Sequence, residues 1–158
     1  WLDELRLPTL EGRTTEEVEK FFASARARDL EQWWEGLPPD GESFRHLYER
    51  VSSGVEGLLE QTHGLRSHDN SGYRLWRPPE DDRRILIVAH AGTISVILSV
   101  LLDVEPVSCA VERFSSYWAA ITRLQTVPIA DAYAFSLRAF NDIGHLLPLG
   151  LPPGQRRG

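Results

Sequence analysis

The stretch that decides the fold is Arg83–Asp103, "RRILIVAHAGTISVILSVLLD". Two arginines open it, and Ile85–Ala89 follows as a continuous apolar run rich in β-branched residues. That pattern predicts a strand covered on both faces, as in a parallel sheet. His90 and Gly92 come next, and then an almost wholly apolar stretch that predicts a helix over about 92–102. A titratable histidine therefore stands where a buried strand hands over to a buried helix. In open α/β sheets that point is where ligands bind. Gly92 lets the backbone approach a ligand closely, and the free N–H groups of a helix's first turn favour an anion. By position alone, His90 can contact phosphate, act as a base, hold a metal, or simply fill a tight turn.

Working outward, Thr14–Glu17 reads as a capping box opening a helix over about 15–35, with a break near Arg28-Asp29. Phe44, Leu47, Tyr48, Val51, Val55, Leu58 and Leu59 mark one helical stripe from Glu42 to about Gln61. Residues 63–83 lack periodicity and read as a long surface loop. "SYWAAITRLQTV" and "AYAFSLRAFN" read as two strands joined at Pro128–Asp131. The order is helix, helix, loop, strand, helix, strand, strand. It predicts an α/β fold, parallel in part, with an antiparallel finish. Residues 1–147 form the expected domain, and 148–158 a disordered tail.

Composition narrows the function. The chain has 158 residues, 42% of them hydrophobic, and a net charge of −6. That is one domain with a real core and no broad basic face, so nucleic acid is not an expected partner. No run reaches the roughly eighteen apolar residues of a membrane span, and no membrane partner is expected. A single cysteine, Cys109, fits a reducing, cytoplasmic setting. His46, His63, His68 and His145 lack zinc-ligand spacing, so no metal is expected. There is no G-x-S-x-G, no P-loop and no G-x-G-x-x-G. There is also no methionine, and the chain starts at Trp1. Trp33, Trp34 and Trp118 read as core or subunit contacts, which leaves a homodimer open.

"ILIVAHAGTISVILSVLLDVEP" resembles the second signature of the histidine phosphatase superfamily, the phosphoglycerate mutase-like fold. Three further segments agree, in family order: "LDELRLPTLEG" (Leu2–Gly12), "DGESFRHLYERV" (Asp40–Val51) and "NDIGHL" (Asn141–Leu146). The resemblance implies a three-layer α/β sandwich with a mostly parallel sheet and an antiparallel C-terminal strand. It implies hydrolysis of a phosphate monoester through a phosphohistidine, without a cofactor. His90 is then the second histidine, on the phosphate side, and Glu4 the proton donor. The amides near Ala91 and Gly92 are then expected to line the phosphate pocket. The partners implied are a small phosphorylated substrate or inorganic phosphate.

The sequence departs from the family in lacking its Arg-His-Gly, the motif of the nucleophilic histidine. Arg45-His46 falls mid-helix and is followed by Leu. The N-terminal strand is therefore expected to be missing from this sequence, and the 158-residue chain to be inactive alone. Without that strand, Ile85–Ala89 is expected to have an unpaired edge. Pro8 stands where the family often has Gly. The phosphatase branch is favoured by the Asp40–Ser43 helix start and by chain length. The alternatives are a non-catalytic binding or regulatory domain of the same fold, and a phosphoglycerate mutase. Asp3 competes with Glu4 for the acid's role, and Glu11 is expected to order its loop. His145 is expected to be a structural hydrogen-bonder. Arg45 and Arg50 read as solvated or salt-bridged helix residues.

Overall fold

The computed structural model describes residues 1–36, 41–77, 82–107 and 110–150. Helix α1 (Thr15–Arg26) starts at the capping box: the Glu17 amide donates to the Thr14 side chain, and the Thr14 amide donates to Glu17. The chain leaves this helix at Ala27 and restarts with Asp29 as N-cap of α2 (Leu30–Glu35), so the break falls where expected. Helix α3 (Phe44–Gly57), capped by Ser43, runs into a π-helical turn at Leu58–Thr62. Helix α4 (Ala91–Leu101) follows His90, and α5 (Ala110–Arg113) is a single turn.

Leu47, Val51, Val55 and Leu59 repeat every four residues, which lays them along one face of α3 and its extension. That face packs against α4, whose Val96, Ile97, Val100 and Leu101 share one core with Leu65 and Trp76. Each such aliphatic side chain contributes about 1.5–3 kcal/mol by leaving water. Helix α4 is apolar on every side because it is covered on every side. Even Ser95 and Ser99 are buried, and the Ser99 hydroxyl meets its need by donating to the Ser95 carbonyl at 2.9 Å.

The sheet has four strands in the order β1 (Arg66–Asn70), β2 (Tyr73–Arg77), β4 (Ala132–Asp142), β3 (Ile121–Ile129). Every pairing is antiparallel. The α/β class stands, but the parallel sheet and its sandwich are not found among the described residues. The reason lies in residues 82–90, which form neither helix nor strand. Ile87 packs on the core, while Leu86 and Val88 are 89% and 79% exposed. Among the described residues the expected strand over 85–89 has no partner in the sheet, and without one there is nothing for a parallel crossover to join.

The loop expected over 63–83 is also corrected in part, because it contains the hairpin β1–β2. Ser71 and Gly72 both have positive φ, 59° and 86°, as a two-residue type I′ hairpin loop demands. The second hairpin turns at Ala130-Asp131, inside the expected Pro128–Asp131. Pro128 is paired with Tyr133 in β3, a position open to proline because β3 is an edge strand. Gly144–Leu149 forms a 3-10 turn, and the tail expected from residue 148 falls from 151 onward outside the described residues.

Candidate active site

His90 is the N-cap residue of α4, with extended backbone (φ −96°, ψ 165°), an exposed side chain and no side-chain capping bond. Its carbonyl accepts from the Ile94 amide at 2.8 Å, closing the first helical turn. The other first-turn amides have no acceptor within the helix and need one from outside. For Gly92 that acceptor is Glu4: the amide donates to Oε2 at 3.0 Å, while the Leu5 amide donates to Oε1 at 2.8 Å. A carboxylate at a helix N-terminus also sits at the favourable end of the helix dipole. A Cβ on Gly92 would collide with Glu4 Oε1, and the carboxylate would have to shift to admit it.

The backbone that carries Glu4 is tied to both α3 and α4. From α4, the buried Thr93 hydroxyl donates to the Asp3 carbonyl at 2.7 Å. From α3, Arg50 Nη1 donates to the carbonyls of Trp1 (2.8 Å) and Asp3 (3.2 Å), and Nη2 reaches that of Glu4 at 3.5 Å. The same guanidinium grips Glu42 with two parallel bonds, Nε to Oε1 at 2.9 Å and Nη2 to Oε2 at 2.8 Å. Glu42 in turn exchanges backbone and side-chain bonds with Arg6: its Oε2 accepts from the Arg6 amide at 3.2 Å, and its own amide donates to the Arg6 carbonyl at 2.8 Å. Burial raises the Glu42 carboxyl's pKa, but the bonds from Arg50 and the Arg6 amide outweigh it and hold the group below the usual carboxylate range. Arg50 is shifted upward, first by its bond to Glu42.

Of the residues singled out from sequence, Glu4, Gly92 and the His90 end of α4 are brought together. Glu4, rather than Asp3, sends its carboxylate to the helix; Asp3 contributes its carbonyl. The Gly92 amide, expected to line a phosphate pocket, is engaged by Glu4 instead. His46 Nδ1 lies 3.0 Å from the Ser43 hydroxyl at the start of α3. Arg45 is salt-bridged to Glu35 and Glu49 on the surface, as expected. Glu11 and His145 are exposed. Among the described residues no group of three or more His, Cys, Asp or Glu can hold a metal ion, and no helix is long and apolar enough to cross a membrane.

Sequence reading missed Arg50, Glu42 and Thr93 as parts of the site. The Glu42–Arg50 pairing had a local signal, since Glu42 precedes the N-cap of α3 and Arg50 lies two turns up the same helix. The bonds to the carbonyls of residues 1, 3 and 4 had none, because they cross more than forty residues of chain.

Residues 1–69 match the family model of the histidine phosphatase superfamily (branch 1). The matched stretch contains Glu4, Glu42 and Arg50, while His90 lies beyond it. Neither a curated protein nor a solved structure gives a significant match. Over residues 1–69, somewhat less than half of its length, the chain is similar to the histidine phosphatase superfamily.

Proposed function

We propose that this chain is part of a phosphomonoester hydrolase that works through a phosphohistidine, with Glu4 and His90 as two of its site residues. What carries the reading is the bond that draws the Glu4 carboxylate onto the Gly92 amide, two residues after His90. In such a reaction the lone pair of a first histidine forms the P–N bond as the P–O bond to the leaving group breaks. Glu4, as the acid, gives its proton to the departing oxygen. The exposed His90 imidazole faces the phosphoryl oxygens and offsets their charge. Water then attacks phosphorus, passes its proton to the Glu4 carboxylate, and releases phosphate as the P–N bond breaks. The first histidine belongs to an Arg-His-Gly motif that residues 1–158 do not contain, so these residues alone are expected not to turn over.

The test is to read the coding DNA in frame upstream of Trp1 and assay the full translation product on an aryl phosphate. Turnover with an acid-labile phosphoenzyme is expected, lost in His90→Ala and slowed about a hundredfold or more in Glu4→Gln. A second reading is favoured by the Gly92 amide being already engaged by Glu4: a non-catalytic relative that serves as a binding or regulatory module. A full product that binds inorganic phosphate in a His90-dependent way, and never becomes phosphorylated, would decide for that module.

A further inference from the structure

The geometry points to Arg50 as a positioning residue: with Glu42 it forms a clamp that sets the Glu4 carboxylate against the start of α4. The inference deepens the proposed function, because Glu4 is the proton donor only on that reading. Its geometry is independent of that reading.

Glu4 makes its two side-chain bonds to the amides of Leu5 and Gly92, at 2.8 and 3.0 Å. The aim of a short side chain is set by where its backbone is held. Upstream, Arg50 takes the carbonyls of Trp1 and Asp3, and it reaches that of Glu4 itself. Downstream, Glu42 holds both backbone polar groups of Arg6. The Arg50–Glu42 pair therefore brackets Glu4 from both sides. Its side chains are only 27% and 11% exposed, so the pair is partly withdrawn from water, where removing one partner is felt strongly. Only a planar fork of donors can serve two carboxylate oxygens and three carbonyls at once. A lysine offers one flexible point charge and cannot. The competing account is apolar: Leu2 and Leu5 pack on the core, and would fix the segment without help from Arg50.

Residue-resolved amide hydrogen exchange on the full 158-residue chain separates these accounts. The Gly92 amide has no intrahelical acceptor, so its protection reports Glu4 directly. Glu4→Ala is expected to speed Gly92 exchange tenfold or more, while the Val51 and Leu98 amides stay within twofold. Arg50→Ala is expected to reproduce that pattern, with the double variant no faster than either single one. Arg50→Lys is expected not to restore protection, and Glu42→Gln to fall between. Three results would overturn the clamp: Gly92 protection within twofold of wild type in Arg50→Ala, full rescue by lysine, or a common speed-up of Gly92, Val51 and Leu98. If Arg50→Ala does not fold, Glu42→Gln decides by the same criteria: selective loss of Gly92 protection supports the clamp, and unchanged or uniform exchange overturns it. Intact selective protection in a full product without phosphatase activity would count against the proposed function and leave the clamp standing.

Discussion

Residues 85–89 and residues 96–101 are nearly equal in apolar character and are separated by one turn of helix, yet they have opposite fates. Leu98 and Val100 are 1% and 2% exposed, whereas Leu86 and Val88 stand almost fully in water. Beyond its first turn, helix α4 satisfies its backbone internally, so there it needs only side-chain neighbours, and α3 supplies them. The segment before it satisfies no backbone group locally and needs a strand on its flank. Among the described residues no strand pairs with it. Hydrophobicity alone says that a residue gains from burial; the available partner decides whether it is buried.

The largest effect that sharpens this contrast is in α4. Leu98→Ala is expected to cost about 3 kcal/mol in urea unfolding, the usual result of a cavity in a packed core. A loss under 1 kcal/mol would mean that α4 is no more secured than the segment before it. Next comes the clamp that ties residues 1–6 to α3. Glu42→Gln is expected to cost about 2 kcal/mol at neutral pH, since it leaves part of Arg50's bonding unmet. Because the Glu42 carboxyl lies below its ordinary range when folded, its contribution is fully present above that range. It is lost as pH falls through the depressed value. Stability profiles of wild type and Glu42→Gln should therefore converge in acid; parallel profiles would remove Glu42 as the source.

Smaller effects test the edges of the contrast. Thr93→Val keeps the buried shape and removes the bond to the Asp3 carbonyl, and is expected to cost about 1 kcal/mol. At the bottom of the scale, Leu86→Ser is expected to change stability by no more than about 0.5 kcal/mol, as at an exposed site. A loss of 2 kcal/mol there would show that Leu86 is covered in solution and would break the comparison outright.

The same contrast explains what could be read in advance. The capping box at Thr14, the break at Arg28-Asp29, the stripe of α3 and the C-terminal hairpin are local, and the sequence carries them openly. Strand β1, "RSHDN", is polar throughout and half-covered only at His68, so no apolar alternation announced it. In sequence, Ser71 and Gly72 read only as turn formers within a loop; the positive φ angles that close the hairpin belong to the structure. Ile85–Ala89 had every intrinsic mark of a strand, but a strand is a pairing, and pairing is not a property of five residues. At the site, Gly92 and His90 were visible because helix starts have a signature. Arg50 was not, because what matters about it is contact with residues nearly fifty positions away.

The unpaired run before α4 also governs how the protein behaves in a crowded tube. Four large aliphatic side chains in a row, with no charge among them, resemble the short segments that stack copies of a chain into cross-β assemblies. Arg84 stands exposed immediately upstream, where in-register stacking would bring one positive charge from each copy into line. Such a charge is expected to act as a gatekeeper of the run. Turbidity on concentration should therefore rise with salt, which screens that charge, and fall when Val88 is made polar.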